Sequence, residues 1–214
     1  MSLDIVVVGC GGHGRETLAV IHAVNQGLAE PVWRVLGFVD DHPSELNRKR
    51  VQQLDLPYLG PIDRLRDLPE GTHVAVGIGD PRVRRTVSAR IDAYRLPAAN
   101  LVHPAAMVGA DTVAGEGLLV FAGARVTTNV TLGRHVHLNQ NVTVAHDCVL
   151  GDFVSVNPLA AVSGECRLEP GVMVGAGAVV LQRRRVGADA TIGAAACVVR
   201  DVAAGAVVKG VPAR

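Results

Sequence analysis

The sequence predicts an α/β half over residues 1–100 and an all-β half over residues 101–214, the first built on a parallel sheet and the second wound as a parallel β-helix. Three observations predict this. Strand-like and helix-like periods alternate up to about residue 100, a six-residue period replaces them from residue 101, and the apolar content is mostly small or aliphatic. Of the 214 residues, 49% are hydrophobic but only 3% are aromatic, so valine, alanine and glycine must fill the core. That composition suits narrow, repetitive packing.

In the first half, IVVVG (5–9) reads as a buried strand and RETLAVIHAVNQG (15–27) as a helix with a glycine stop. VWRVLGFVDD (32–41) is a second strand ending in two aspartates, and HVAVGIGD (73–80) is a third. A basic amphipathic helix follows over PRVRRTVSARIDAYRL (81–96). Strands alternating with helices predict a parallel sheet with right-handed connections. Gly9, Gly11 and Gly14 spell G-x-G-x-x-G directly after the first strand, which makes the half Rossmann-like. Glycines there permit a tight strand-to-helix turn and present a helix N-terminus to a phosphate or polar sugar group. A full dinucleotide fold needs two such halves, whereas about 100 residues supply one.

In the second half, every sixth residue from Val102 to Val198 is Val, Leu or Ile at 16 of 17 positions, Ala114 being the exception. Four residues after each lies a mostly small or β-branched residue, such as Ala106, Ala124, Val136, Cys148 or Ala178. The small residue and the next aliphatic one are two apart, so both point inward on one short strand and the residue between them points out. The three residues after the aliphatic one form a corner, where glycine and polar residues belong. Three strands per coil make a triangular prism, and 17 repeats give nearly six coils, about 27 Å in length. Small interior residues leave no room for an internal ligand, so any site lies on the outside or between prisms. Arg184, within QRRRVG (182–187), falls on an inward slot, where an unpaired guanidinium is too costly; a local bulge is expected there, with the arginines facing out.

The formal net charge of +1 gives no electrostatic case for nucleic acid or an anionic membrane. No charged-then-apolar leader and no apolar run of membrane-spanning length is present, so the expectation is a cytoplasmic protein with no membrane insertion. Cys10, Cys148, Cys166 and Cys197 form no C-x-x-C pair and read as small reduced residues.

The polar cluster RHVHLNQNVTVAHDC (134–148) carries the chemistry. Val136 and Leu138 point inward, His137 points out from mid-strand, and His146 with Asp147 falls on a corner. A histidine beside a carboxylate is a candidate general base, because the negative charge raises the basicity of imidazole. Acyl transfer from a thioester needs such a base, together with donors for the tetrahedral oxyanion. A zinc site would need His135, His137 and His146 to converge from neighbouring subunits, yet they fall on one corner, mid-strand and a different corner.

The hexapeptide run, its ending KGVPAR (209–214) and the glycine-rich first half together resemble the PglD/NeuD-type sugar acetyltransferases, left-handed β-helix acyltransferases of the hexapeptide-repeat family. The resemblance covers essentially the whole chain. It implies a Rossmann-like nucleotide-sugar-binding domain over 1–100, a left-handed β-helix binding acetyl-CoA over 101–214, and a homotrimer. It carries the base onto His146, its tuning carboxylate onto Asp147 and a polar active-site position onto Asn139. Acetyl-CoA contacts map onto Ser155, Gly175, Ala176 and Ala194, although some members have histidine where this chain has Ser155. The family's G-G-H or S-G-H signature makes Gly11, Gly12, His13, Asp40, Asp41 and Gly79 substrate contacts; the two aspartates could instead merely end a strand. The implied activity is N-acetylation of a nucleotide-linked amino sugar, with no resident metal. Alternatives are O-acetylation of a sugar hydroxyl of the sialic-acid type, a non-catalytic NAD-binding or scaffold protein, and a zinc carbonic anhydrase.

Overall fold

The computed structural model describes residues 2–214. The chain divides into two compact units, residues up to Gly79 with Val83–Leu101, and Val102–Arg214 with Asp80–Arg82.

The first unit is built on four parallel strands, β1 (Leu3–Val8), β2 (Trp33–Val39), β3 (Tyr58–Gly60) and β4 (His73–Val76). They lie in the order β3-β2-β1-β4. Val6 and Val8 of β1 are fully buried with Val39, Leu65 and Val74, because a strand covered on both faces needs an unbroken β-branched run. Helix α1 (Gly12–Gln26) follows β1 and buries Thr17, Leu18, Val20 and Ile21. Helix α3 (Pro81–Asp92) starts where HVAVGIGD ends, so the third predicted strand stops at Val76 and its last four residues form an irregular loop.

Residues 42–72 carried no sequence assignment. There the structure forms helix α2 (Glu45–Gln52), strand β3 and a 3-10 helix over Ile62–Asp67. Ser44 caps α2 by accepting from the Asn47 amide at 3.2 Å, but only Val51 of this helix is buried. With one inward residue there is no periodic apolar face to read.

The second unit is a triangular prism. Seventeen two-residue strands, from β5 (Leu101–Val102) to β21 (Cys197–Val198), begin every six residues. As far as β18, each pairs in parallel with the strand eighteen residues on, as in Thr131↔Val149, His137↔Ser155 and Thr143↔Ala161. One coil is therefore three hexapeptides. The three faces carry five, six and seven strands. Inward aliphatics stack coil on coil: Leu132, Leu138, Val144, Leu150, Val156, Val162 and Leu168 are each at most 2% exposed. Small residues such as Ala124, Cys148, Ala160 and Ala178 close the same core. Corners need left-handed backbone, which Asn129, Asn141 and Asp147 supply at φ 53°, 58° and 59°. Asn and Asp tolerate that region because their short polar side chains bond locally.

Two details depart from the periodic reading. The bulge expected at Arg184 does not form: Arg167↔Arg185 and Leu168↔Val186 pair in unbroken register. Arg184 does face out as expected, without a bulge, its Nε donating to the Gln182 carbonyl and its Nη1 lying 3.7 Å from Asp201. A long aliphatic stem fills the slot while the charge stays wet. After Val198 the winding slips by two residues: Val202 bridges Val186, sixteen residues on instead of eighteen, and β22 (Val207–Val208) closes the seven-stranded face.

Candidate active site

The glycine loop builds a cleft in the first unit. β1 ends at Val8 and Gly9 takes φ 105°, turning the chain into α1. A Cβ at Gly14 would collide with the Gly9 carbonyl, and one at Gly77 would stand 2.5 Å from the Gly14 Cα, so these glycines serve close packing. Gly11 and Gly12 are different. A Cβ at Gly11 meets nothing within 4 Å, and one at Gly12 meets only the tip of Arg15. Gly11 is the N-cap of α1 with no capping side chain, so the helix start stays accessible.

Around it lies a cavity of about 400 Å³. All six residues singled out in the first half line it: Gly11, Gly12, His13, Asp40, Asp41 and Gly79. Ile62, Ile78, Val83 and Val87 add apolar walls, and His42 stands at the rim beside the aspartates. His42 and Ile78 went unremarked in the sequence because neither carries a motif, although Ile78 sits between Gly77 and Gly79. Burial and the neighbouring Arg84 guanidinium push His13 down to about 4, so its imidazole is neutral at physiological pH. Its 3.7 Å approach to Glu16 is therefore a polar contact and not an ion pair at that pH. Arg84 is fully buried and donates to the Ile78 and Gly79 carbonyls, which fixes the wall opposite His13.

The two aspartates are occupied differently. Asp40 accepts from the Cys10 amide at 2.8 Å and from the His42 amide at 3.0 Å. Asp41 accepts from the Ile62 amide at 3.0 Å and from Arg90 at 2.6 Å. Arg90 also bonds Asp63, which takes the Tyr94 hydroxyl at 2.6 Å. Both aspartates line the cavity, and both also terminate β2 structurally. Burial and the Asp40 charge push the Cys10 thiol up to about 12, leaving it inert.

In the second unit His146 and Asp147 occupy one corner, and both are exposed. His146 Nδ1 lies 2.6 Å from one carboxylate oxygen of Asp147. The other oxygen accepts from the Asn129 carboxamide, also at 2.6 Å. These contacts hold the Asp147 carboxyl below the usual carboxylate range, Asn129 contributing more than His146. An ionised Asp147 takes a proton on Nδ1, which leaves Nε2 as the ring's accepting nitrogen. Gly164, one coil on, makes room: a Cβ there would stand 2.6 Å from the imidazole. Cys148 points inward, its Sγ donating to the Ser163 carbonyl at 3.1 Å.

The remaining candidates lie elsewhere on the prism. Asn139 follows the His137–Leu138 strand, whereas His146 follows the Thr143–Val144 strand on the next face, so the two occupy different corners. Asn139 is 5% exposed and donates to the Val156 carbonyl and to Asn157. Gly175 lies two coils beyond Asn139 on the same corner, with Ala176 and Ala194 beside it and exposed. Ser155 is buried on the face leading to that corner, in register with His137. Within one chain, the dyad and the residues mapped to acetyl-CoA thus run along separate edges.

Within one chain the three histidines of the zinc reading do not gather. His137 is buried, and His135 is buried against Phe153, their rings stacked at 5.3 Å, while His146 is exposed on another corner. Among the described residues no group of three His, Cys, Asp or Glu is placed to hold a metal ion.

A repeat-wound prism bearing a His–carboxylate corner, preceded by a small glycine-loop α/β unit, defines a left-handed β-helix acyltransferase with an added domain. The chain belongs to the PglD/NeuD-type sugar acetyltransferases. The family model for the PglD N-terminal domain matches residues 4–91. The chain is 32% identical to GDP-perosamine N-acetyltransferase of Escherichia coli O157:H7, over 66% of this chain and 61% of that protein's length. The crystal structure of PerB from Caulobacter crescentus, in complex with CoA and GDP-perosamine, superposes with a TM-score of 0.86 at 30% identity, covering 99% of this chain and 96% of that one. The acetyltransferase domain of PglB from Neisseria gonorrhoeae FA1090, in complex with acetyl coenzyme A, gives 0.87 at 29%, covering 100% and 99%. No helix among the described residues is long and apolar enough to cross a membrane.

Proposed function

We propose that this protein transfers an acetyl group from acetyl-CoA to the amino group of a nucleotide-linked amino sugar, with His146 as general base. The observation that carries the reading is the exposed corner pair, in which Asp147 sits 2.6 Å from His146 Nδ1 and so reserves Nε2 for the substrate. The neutral amine attacks the thioester carbonyl carbon, and its proton passes to Nε2 as the new C–N bond forms. Collapse of the tetrahedral intermediate breaks the C–S bond, and CoA leaves, recovering a proton from the imidazolium. No acyl-enzyme is required. The binding of CoA and GDP-perosamine by PerB supports this substrate pair, and its amino-sugar acceptor favours N- over O-acetylation.

The nucleotide sugar is assigned to the glycine-loop cavity. There the open backbone of Gly11 and Gly12 at the start of α1 suits a phosphate, and neutral His13, Asp40 and Gly79 offer polar partners. Asp41, tied to Arg90, shapes that wall. Acetyl-CoA is assigned to the edge with Gly175, Ala176 and Ala194, near Ser155 and Asn139. Because this edge is not the edge of His146, the site is completed between neighbouring prisms, which supports a homotrimer.

The experiment mixes purified protein with acetyl-CoA and UDP-, GDP- or dTDP-linked 4-amino sugars and follows the release of CoA thiol. Release with one acceptor, lost in His146→Ala, supports the reading and names the nucleotide. Silence with every amino sugar but release with a sugar hydroxyl would move the protein to O-acetylation. Failure to bind acetyl-CoA at all would sink the enzyme reading.

A further inference from the structure

The corner that holds His146 and Asp147 continues down the prism. Asp111, Asn129 and Asp147 stand eighteen residues apart, one coil each, and are joined by hydrogen bonds. Asp111 accepts from the Asn129 amide at 2.8 Å and from the Thr128 hydroxyl at 2.6 Å on the same oxygen. Asn129 then donates its carboxamide to Asp147, whose other oxygen meets His146. The facing atom is a carboxylate, so the Asn129 side chain must present its NH2 group. Beyond the dyad, Glu165 and Arg183 pair with each other at 3.0 Å, so Glu165 does not compete for the imidazole.

The choice of asparagine has a physical reason. A carboxylate at position 129 would stack between those of Asp111 and Asp147 at one coil spacing, about 4.8 Å, where like charges repel. A neutral carboxamide instead donates to Asp147 while the backbone amide of the same residue donates to Asp111, and asparagine accepts φ 53° at low cost.

We propose that Asn129 is a positioning residue for the catalytic pair: anchored on Asp111, it aims the Asp147 carboxylate so that His146 carries its proton on Nδ1 and presents a bare Nε2. This rests on the acetyltransferase reading for its activity consequence, but not for its geometry. Asn129 touches neither reacting atom. It acts only through Asp147.

The test uses the full chain labelled with 15N-histidine and reads the His146 tautomer by NMR, alongside steady-state kinetics. Wild type is expected in the Nδ1–H form. Asn129→Gly keeps the left-handed corner but removes the carboxamide. It should shift His146 toward a tautomer mixture and lower kcat about tenfold, with both KM values within about twofold, a fraction of what a general base contributes. Because Asn129 works through Asp147, Asn129→Gly added to Asp147→Asn should cost nothing further. A wild-type protein holding the proton on Nε2 overturns the proposal without any variant. So does Asn129→Gly with an unchanged tautomer, or losses that multiply in the double variant. Should wild type release no CoA, the acetyltransferase reading fails, while the tautomer still decides the role of Asn129.

Discussion

Gly164 lies against the imidazole of His146, so close that a Cβ would stand 2.6 Å from both Cε1 and Nε2. The glycine is one coil later than the histidine and takes no part in the hexapeptide's aliphatic register. Its place is explained by the ring it accommodates. Gly164→Ala should push the half-exposed imidazole away and cost roughly 100-fold in kcat, the effect of about 1 Å of misplacement. Thermal unfolding should barely move, since the displaced group is the far end of a side chain. Kinetics and a melting curve on the same sample check both halves.

Gly12 sits at the first turn of α1 with open space beside it, and its φ is not in the left-handed region. Gly12→Ala should therefore stabilise the fold by about 0.5–1 kcal/mol, through lower entropy of the unfolded chain. The same methyl projects toward the cavity, so KM for the nucleotide sugar should rise about tenfold, near 1.4 kcal/mol, while KM for acetyl-CoA stays constant. Stability and affinity moving together would contradict the placement of substrate at this helix start.

His13 supplies a pH signature. Its value falls from 6.5 in the unfolded chain to about 4 in the folded one, so between those values the unfolded state binds more protons. Folding stability should rise with pH through that window and fall as pH drops from 6.5 toward 4. The full effect is on the order of 3 kcal/mol. In His13→Asn the slope should lose the part that His13 contributes and become shallower, which denaturant unfolding at pH 4.5 and 7 in both proteins would measure.

Leu150 is 1% exposed at the centre of the stack and touches the coils on either side. Leu150→Ala should cost about 2–5 kcal/mol, because a prism wound in register cannot collapse around the void. Val113→Ala, at an exposed position 66% open, should cost under about 0.5 kcal/mol in the isolated chain.

The sequence made the prism legible because Leu132, Leu138, Val144 and Leu150 are each fixed by one local rule, an inward aliphatic every sixth residue. The glycine loop was legible for a similar reason. Helix α2 was not, since its single buried residue leaves no pattern. Arg90 was missed as a partner of Asp41 because 49 residues separate them and only the fold brings them together. The Asp111–Asn129–Asp147 column is a third kind of case. Its eighteen-residue spacing stands in the sequence, but it acquires meaning only once three hexapeptides are known to close one coil. At Arg184 the outward guanidinium is legible from its charge, but the bulge is not needed, because the long stem leaves the slot that a short side chain would have to fill.

The central claim is that His146 removes the proton of an amine as it takes the acetyl group of acetyl-CoA. The measurement that tests it most directly is a single-turnover reaction with the nucleotide-linked amino sugar that gives thiol release, with the product identified by NMR and mass spectrometry in wild type and His146→Ala. An amide on the sugar nitrogen is expected, with a rate reduced by about 10²–10⁴ in the variant and acetyl-CoA binding retained. An ester product, or an undiminished rate in His146→Ala, would contradict it.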